Sequence, residues 1–244
     1  MVILPCMAEA REIPPEALAC QAHCAPPALS AALPAVQDER LWLLLMQEPQ
    51  AYMGLSHERL LAHDYPAAAR HVRRVSAYLQ MAAGNADIAQ QASLQRAAEE
   101  MAATAEILAQ RADVGPEARP WVLPVFARAE NALAADHQAK ASRALVEGKA
   151  QVAGHYLSAS LQHLENASQW AGQEPSGLAR GQAWRLMAER MILGQLDARG
   201  QASEGVDWVR GEVARLERVL GAAASPAGSA WVPATESPNS RLRF

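Results

Sequence analysis

Between about residues 66 and 220 the apolar side chains return at steps of three and four, with alanine filling many of the places between them. One stripe reads Ala68, Val72, Val75, Leu79 and Ala82, and the next Leu94, Ala98, Met101, Ala105 and Leu108. Such spacing lines one face of a 3.6-residue helix. Alanine, roughly a fifth of all residues, is also the best helix former, because it gives up no side-chain entropy. Strands want β-branched and aromatic residues, yet the aromatic fraction is 5% and the threonines are Thr104 and Thr235 alone. An all-β chain is excluded. The expected class is all-α, an elongated antiparallel helical bundle.

Single prolines and glycines, rather than strand-and-turn patterns, separate the runs. They predict a first segment over about 37–63, interrupted near Pro49, then helices over about 66–83 and 87–111. Pro120 and Pro124 sit where a first turn tolerates proline, and the helix they open should run to about 147. The next carries Ala153, Leu157, Leu161, Leu164, Ser168 and Ala171 on one face and is ended by Gly172 and Pro175. Two more carry Trp184, Met187 and Met191, then Val206, Val209, Val213, Leu216 and Leu220. Gly194 stands where the former's next apolar group is due, which weakens its later half. Residues 1–36 hold Pro5, Pro14, Pro15, Pro26, Pro27 and Pro34 and read as a proline-rich extension with one short helix over about 15–24. Residues 222–244, rich in Ala, Gly, Ser and Pro, read as a disordered tail, so the bundle domain spans 37–221.

A shift of 85 residues lays Leu60-Leu61 on Leu145-Val146, His63 on Gly148, Ala68 on Ala153, Val72 on Leu157 and Leu79 on Leu164. Two similar helical hairpins, an internal duplication, are the expectation. Each looks like the helix-turn-helix of a tetratricopeptide unit, which makes a peptide-binding adaptor one alternative, although that family stacks units every ~34 residues. The segment Trp121-Val122-Leu123-Pro124, the helix holding Asn131-Ala132-Leu133-Ala134, the Gly148-Lys149 turn and the alanine-studded helix after it resemble the YfdX-like proteins over about 50–172. The resemblance implies a small all-helical bacterial protein, exported and stress-related, with no catalytic residues to carry over.

The net charge of -4 lacks the positive excess that phosphate neutralisation requires, which speaks against nucleic-acid binding. The nearest basic cluster, Arg70, Arg73 and Arg74, reads as a solvated helix face. The longest strongly apolar run, Leu41 to Met46, is far short of a membrane span, and Met1 to Cys6 lacks a secretory signal. The chain as written is therefore expected to be cytoplasmic, and periplasmic only if translation starts elsewhere and the resemblance holds.

Cys20, His23 and Cys24 stand at i, i+3 and i+4, so a helix would bring two thiolates and an imidazole to one face, a donor set for a soft metal such as zinc. They are the candidate metal residues. No Glu-x-x-His occurs, which disfavours a di-iron centre, and neither a phosphate-cradling glycine loop nor a nucleophile elbow is present. His137 lies on its helix's apolar stripe and reads as a satisfied core or interface histidine, while His155, Tyr156 and His163 read as surface groups. Trp170, Trp184 and Trp208 read as packing aromatics. No catalytic residue and no cofactor is expected. The expected function is that of a non-catalytic interaction or scaffold protein, with a metal-binding protein as the alternative. Val206, Val209, Val213, Leu216 and Leu220, flanked by Arg210, Glu212, Arg215 and Glu217, form the expected seam for a homodimer.

Overall fold

A computed structural model describes residues 39–110, 118–173, 178–195 and 199–224. The chain divides into two compact units, Met1–Leu41 and Trp42–Phe244. In the first, only the backbone that begins α1 is described. The described residues form seven helices: α1 (Glu39–Leu61), α2 (Tyr65–Gly84), α3 (Ile88–Gln110), α4 (Ala118–Val146), α5 (Ala150–Trp170), α6 (Leu178–Ile192) and α7 (Arg199–Ala224). The expected all-α bundle is what forms, and no strand occurs among these residues.

Two proline readings need correction. Pro49 lies inside α1, which runs through it unbroken, the following turns being held by side chains that reach α2 and α5. Pro124 lies inside α4, a turn beyond Pro120, where its missing amide leaves the carbonyl of Pro120 without the usual helical donor.

Four helices end in the same turn, with a residue in the left-handed region: His63 (φ 57°), Gly148 (75°), Gly172 (62°) and Gly194 (68°). In each a later amide bonds back across the turn, as Asp64 to the Arg59 carbonyl at 2.9 Å and Lys149 to that of Ala144 at 2.8 Å. Gly194 is therefore a helix terminator rather than a gap in a stripe. His63 adopts the conformation without glycine's freedom, and its Nδ1 lies 3.0 Å from the Tyr65 hydroxyl. The hairpins at 63 and 148 thus share a turn, but α5 and α6 end the same way. Under the shift, α2 on α3 corresponds to α5 on α6, while α5 lies on α7 as well. The matched pairs Ala68 and Ala153, Val72 and Leu157, and Leu79 and Leu164 are all buried, which a shared helical period explains as well as a duplication does.

Small residues let the axes approach. Ser56 Oγ donates to the Ala68 carbonyl between α1 and α2, Ser76 Oγ to that of Ala98 between α2 and α3, and Ser160 Oγ to that of Ala134 between α4 and α5. A side chain this short reaches a neighbouring helix backbone only where the two are close. At Gly154 a Cβ would lie 2.9 Å from the Ala188 carbonyl oxygen and from Met191 Cβ, so α5 and α6 pack backbone against backbone. Trp184 covers Gly205 and Trp208 covers Gly181, locking α6 and α7 by reciprocal aromatic-on-glycine contacts.

The core has two parts that meet along α4. One gathers α1, α2, α3 and the first half of α4 around Phe126, and the other gathers the second half of α4 with α5, α6 and α7. Trp170 packs against both, its ring edge-to-face with Phe126 at 5.4 Å. Val206, Val209, Val213, Leu216 and Leu220 are all buried in the second part, against α4 and α5. The seam read as a dimer interface is part of the chain's own core. A two-heptad stripe cannot cover that core and a second copy at once, which corrects the homodimer reading.

Candidate functional site

Helix α4 is flanked by α3, α5 and α7, so it has little solvent-facing surface, and from Glu130 to Gln138 every side chain is buried. The polar members of that run must find partners inside. Glu130 is fully buried; His163 Nδ1 lies 2.6 Å from its Oε2, and Asn166 Nδ2 donates to its Oε1 at 3.4 Å. Asn166 Oδ1 in turn accepts from Gln50 of α1 and from Gln162, both at 3.1 Å. An ionised Glu130 only accepts, so in that state His163 carries its proton on Nδ1. The network ties α1, α4 and α5 together.

One and a half turns further along α4, Lys140 Nζ lies 2.7 Å from Asp136 Oδ2. Burial alone would raise the Asp136 pKa, but His137 and Lys140 outweigh it and hold the carboxyl below the usual range. His137, 1% exposed, has its Nδ1 3.4 Å from Asp136 Oδ2, without hydrogen-bond alignment, and neither ring nitrogen has a hydrogen-bond partner. Its ring packs edge-on to that of His163 at 5.1 Å. Burial, opposed by Asp136 and assisted by His163 and Lys140, lowers its pKa to about 4, so the imidazole is neutral at pH 7. Tyr78 of α2 faces the same charges: burial first, then the carboxylates of Asp136, Glu48 and Glu130, raise its phenol well above the ordinary value.

His137 is buried as expected, but unsatisfied rather than satisfied. His163, read as a surface group, is 4% exposed. The error lies in the width of the buried arc: α5 packs on three helices, so more of its circumference is covered than one stripe predicts. His155 and Tyr156 are half-buried. A signal was present, since Glu130, Asn131, Asp136 and Gln138 interrupt the most alanine-packed helix without forming a polar face.

A second feature is open to solvent. Because α3 and α7 both lie on α4, they leave a cleft of about 350 Å³ above it. From α3, Ser93, Arg96, Ala97 and Glu100 line it at i, i+3, i+4 and i+7, and from α7 come Glu217, Leu220 and Gly221. Its floor on α4 is Arg128, Asn131 and Ala132. Arg128 holds Glu100 through two hydrogen bonds, 2.6 and 2.8 Å. Asn131 Nδ2 donates to the Val213 carbonyl at 3.2 Å, leaving its buried Oδ1 without a partner.

The basic cluster is a helix face as read, with Arg73 paired to Glu106 at 3.0 Å and Arg74 over the Tyr52 ring at 5.1 Å. Cys20, His23 and Cys24 lie outside the described residues. Among the described residues no three His, Cys, Asp or Glu side chains are grouped to hold a metal ion, and no helix is long and apolar enough to cross a membrane. Compared with family models, curated proteins and solved structures, the chain matches none.

Proposed function

We propose that this chain is a non-catalytic helical interaction protein that receives a partner's polar group in the cleft between α3, α4 and α7. The observation that carries the reading is the cleft itself: a preformed concavity of about 350 Å³, walled by Arg96 on α3 and Glu217 on α7, neither of which has an ion pair or hydrogen bond among the described residues. The strongly perturbed groups, the buried His137 and the partly buried Tyr78 packed against the core, lie away from the cleft lining, which favours binding over chemistry there.

The test is nuclear magnetic resonance of the full chain titrated with free amino acids and with random short peptides. Saturable shifts of the Ala97, Ala132 and Gly221 amides are expected, with the added compounds recovered unchanged by mass spectrometry. In Gly221→Trp the new side chain enters open space and fills the cleft mouth, so binding is expected to vanish while the helical circular dichroism stays. Shifts that ignore that substitution overturn the cleft; chemical conversion of an added compound overturns the non-catalytic reading.

A further inference from the structure

Resting on that reading, we infer that the cleft takes a small zwitterion, an ammonium and a carboxylate a few bonds apart with an aliphatic side chain, as in a free α-amino acid. The charges lining it sum to zero, two arginines against two glutamates. Arg128 and Glu100 answer each other through two hydrogen bonds, so the groups left for a ligand are Arg96 on one wall and Glu217 on the other. A guanidinium only donates, and a carboxylate only accepts. One donor and one acceptor therefore remain, on different helices. A simple anion held by Arg96 would leave Glu217 unanswered beside it, and a simple cation held by Glu217 would leave Arg96 so. A ligand carrying both charges satisfies each wall without leaving a like charge against it. The volume is at the small end of ligand sites, and Ala97, Ala132 and Leu220 give the side chain an apolar lining.

The probes are L-leucine, 4-methylpentanoate, which lacks the ammonium, and isopentylamine, which lacks the carboxylate, each titrated into the full chain and read by the amide shifts of Ala132 and Gly221. Leucine is expected to bind at least about tenfold more tightly than either analogue, since each lacks one charge-assisted contact. Arg96→Gln should weaken leucine to the level of isopentylamine, and Glu217→Gln to the level of 4-methylpentanoate. Both positions are exposed, so the helical spectrum should not change. If 4-methylpentanoate or isopentylamine matches leucine, or the peptides bind while leucine does not, the zwitterion assignment is overturned and the cleft reading stands. If neither leucine nor the peptides and other amino acids shift these amides, both fall.

Discussion

His137 should make this protein acid-sensitive well above the range of ordinary carboxylates. The imidazole is 1% exposed with neither nitrogen hydrogen-bonded, and burial, against the opposing pull of Asp136, lowers its pKa from 6.5 to about 4. The unfolded chain therefore takes up a proton here below pH 6.5, whereas the folded chain does so only near pH 4. Stability present above the unfolded pKa is lost as the pH falls between those values, and the loss levels off below the lower one. A gap of two and a half pH units corresponds to about 3 kcal/mol in full, of which about 2 kcal/mol has gone by pH 5. Asp136 acts in the same direction in a lower window, because its depressed carboxyl stabilises the fold above the ordinary 3.8 and releases that stability as it protonates below it. Urea unfolding at a series of pH values between 7 and 4.5 measures the effect. The control is His137→Leu, of similar bulk and without titration. Its stability at pH 7 sets the baseline, since the substitution removes a buried polar ring and, with it, a contact that helps hold Asp136 ionised. Its stability should then fall by about 2 kcal/mol less than the parent's between pH 7 and 5. Parallel curves for the two proteins would refute the assignment of the acid sensitivity to His137.

Glu130→Ala should destabilise the fold by about 3–5 kcal/mol in chemical denaturation, because His163 and Asn166 lose the acceptor they share inside the core. Gly154→Ala should lower stability by about 1–3 kcal/mol and the melting temperature with it, since the added methyl meets the Ala188 carbonyl and Met191 at 2.9 Å. Val213→Glu should unfold or severely destabilise the chain, as seen by circular dichroism, and not release a folded monomer from a dimer: the side chain is 7% exposed and faces the core.

Much of the fold was legible because helical period is a local property. Ala68, Val72, Val75 and Leu79 lie on one face whatever surrounds them, and all four are fully buried. The turn at Gly148 was equally local, because a backbone that must enter the left-handed region selects glycine. What the chain could not disclose is how many neighbours each helix has. A stripe reports one covered face, but α4 and α5 are each covered from three sides, and this extra burial brings His163 to Glu130 across 33 positions of sequence and strips His137 of water. The same property decides the α7 seam. Its apolar period suits a partner helix in the same chain as well as one in another copy, and only the packing on α4 and α5 distinguishes them. The cleft is tertiary in full: Arg96, Asn131 and Glu217 come from three helices, and no spacing within the chain relates them.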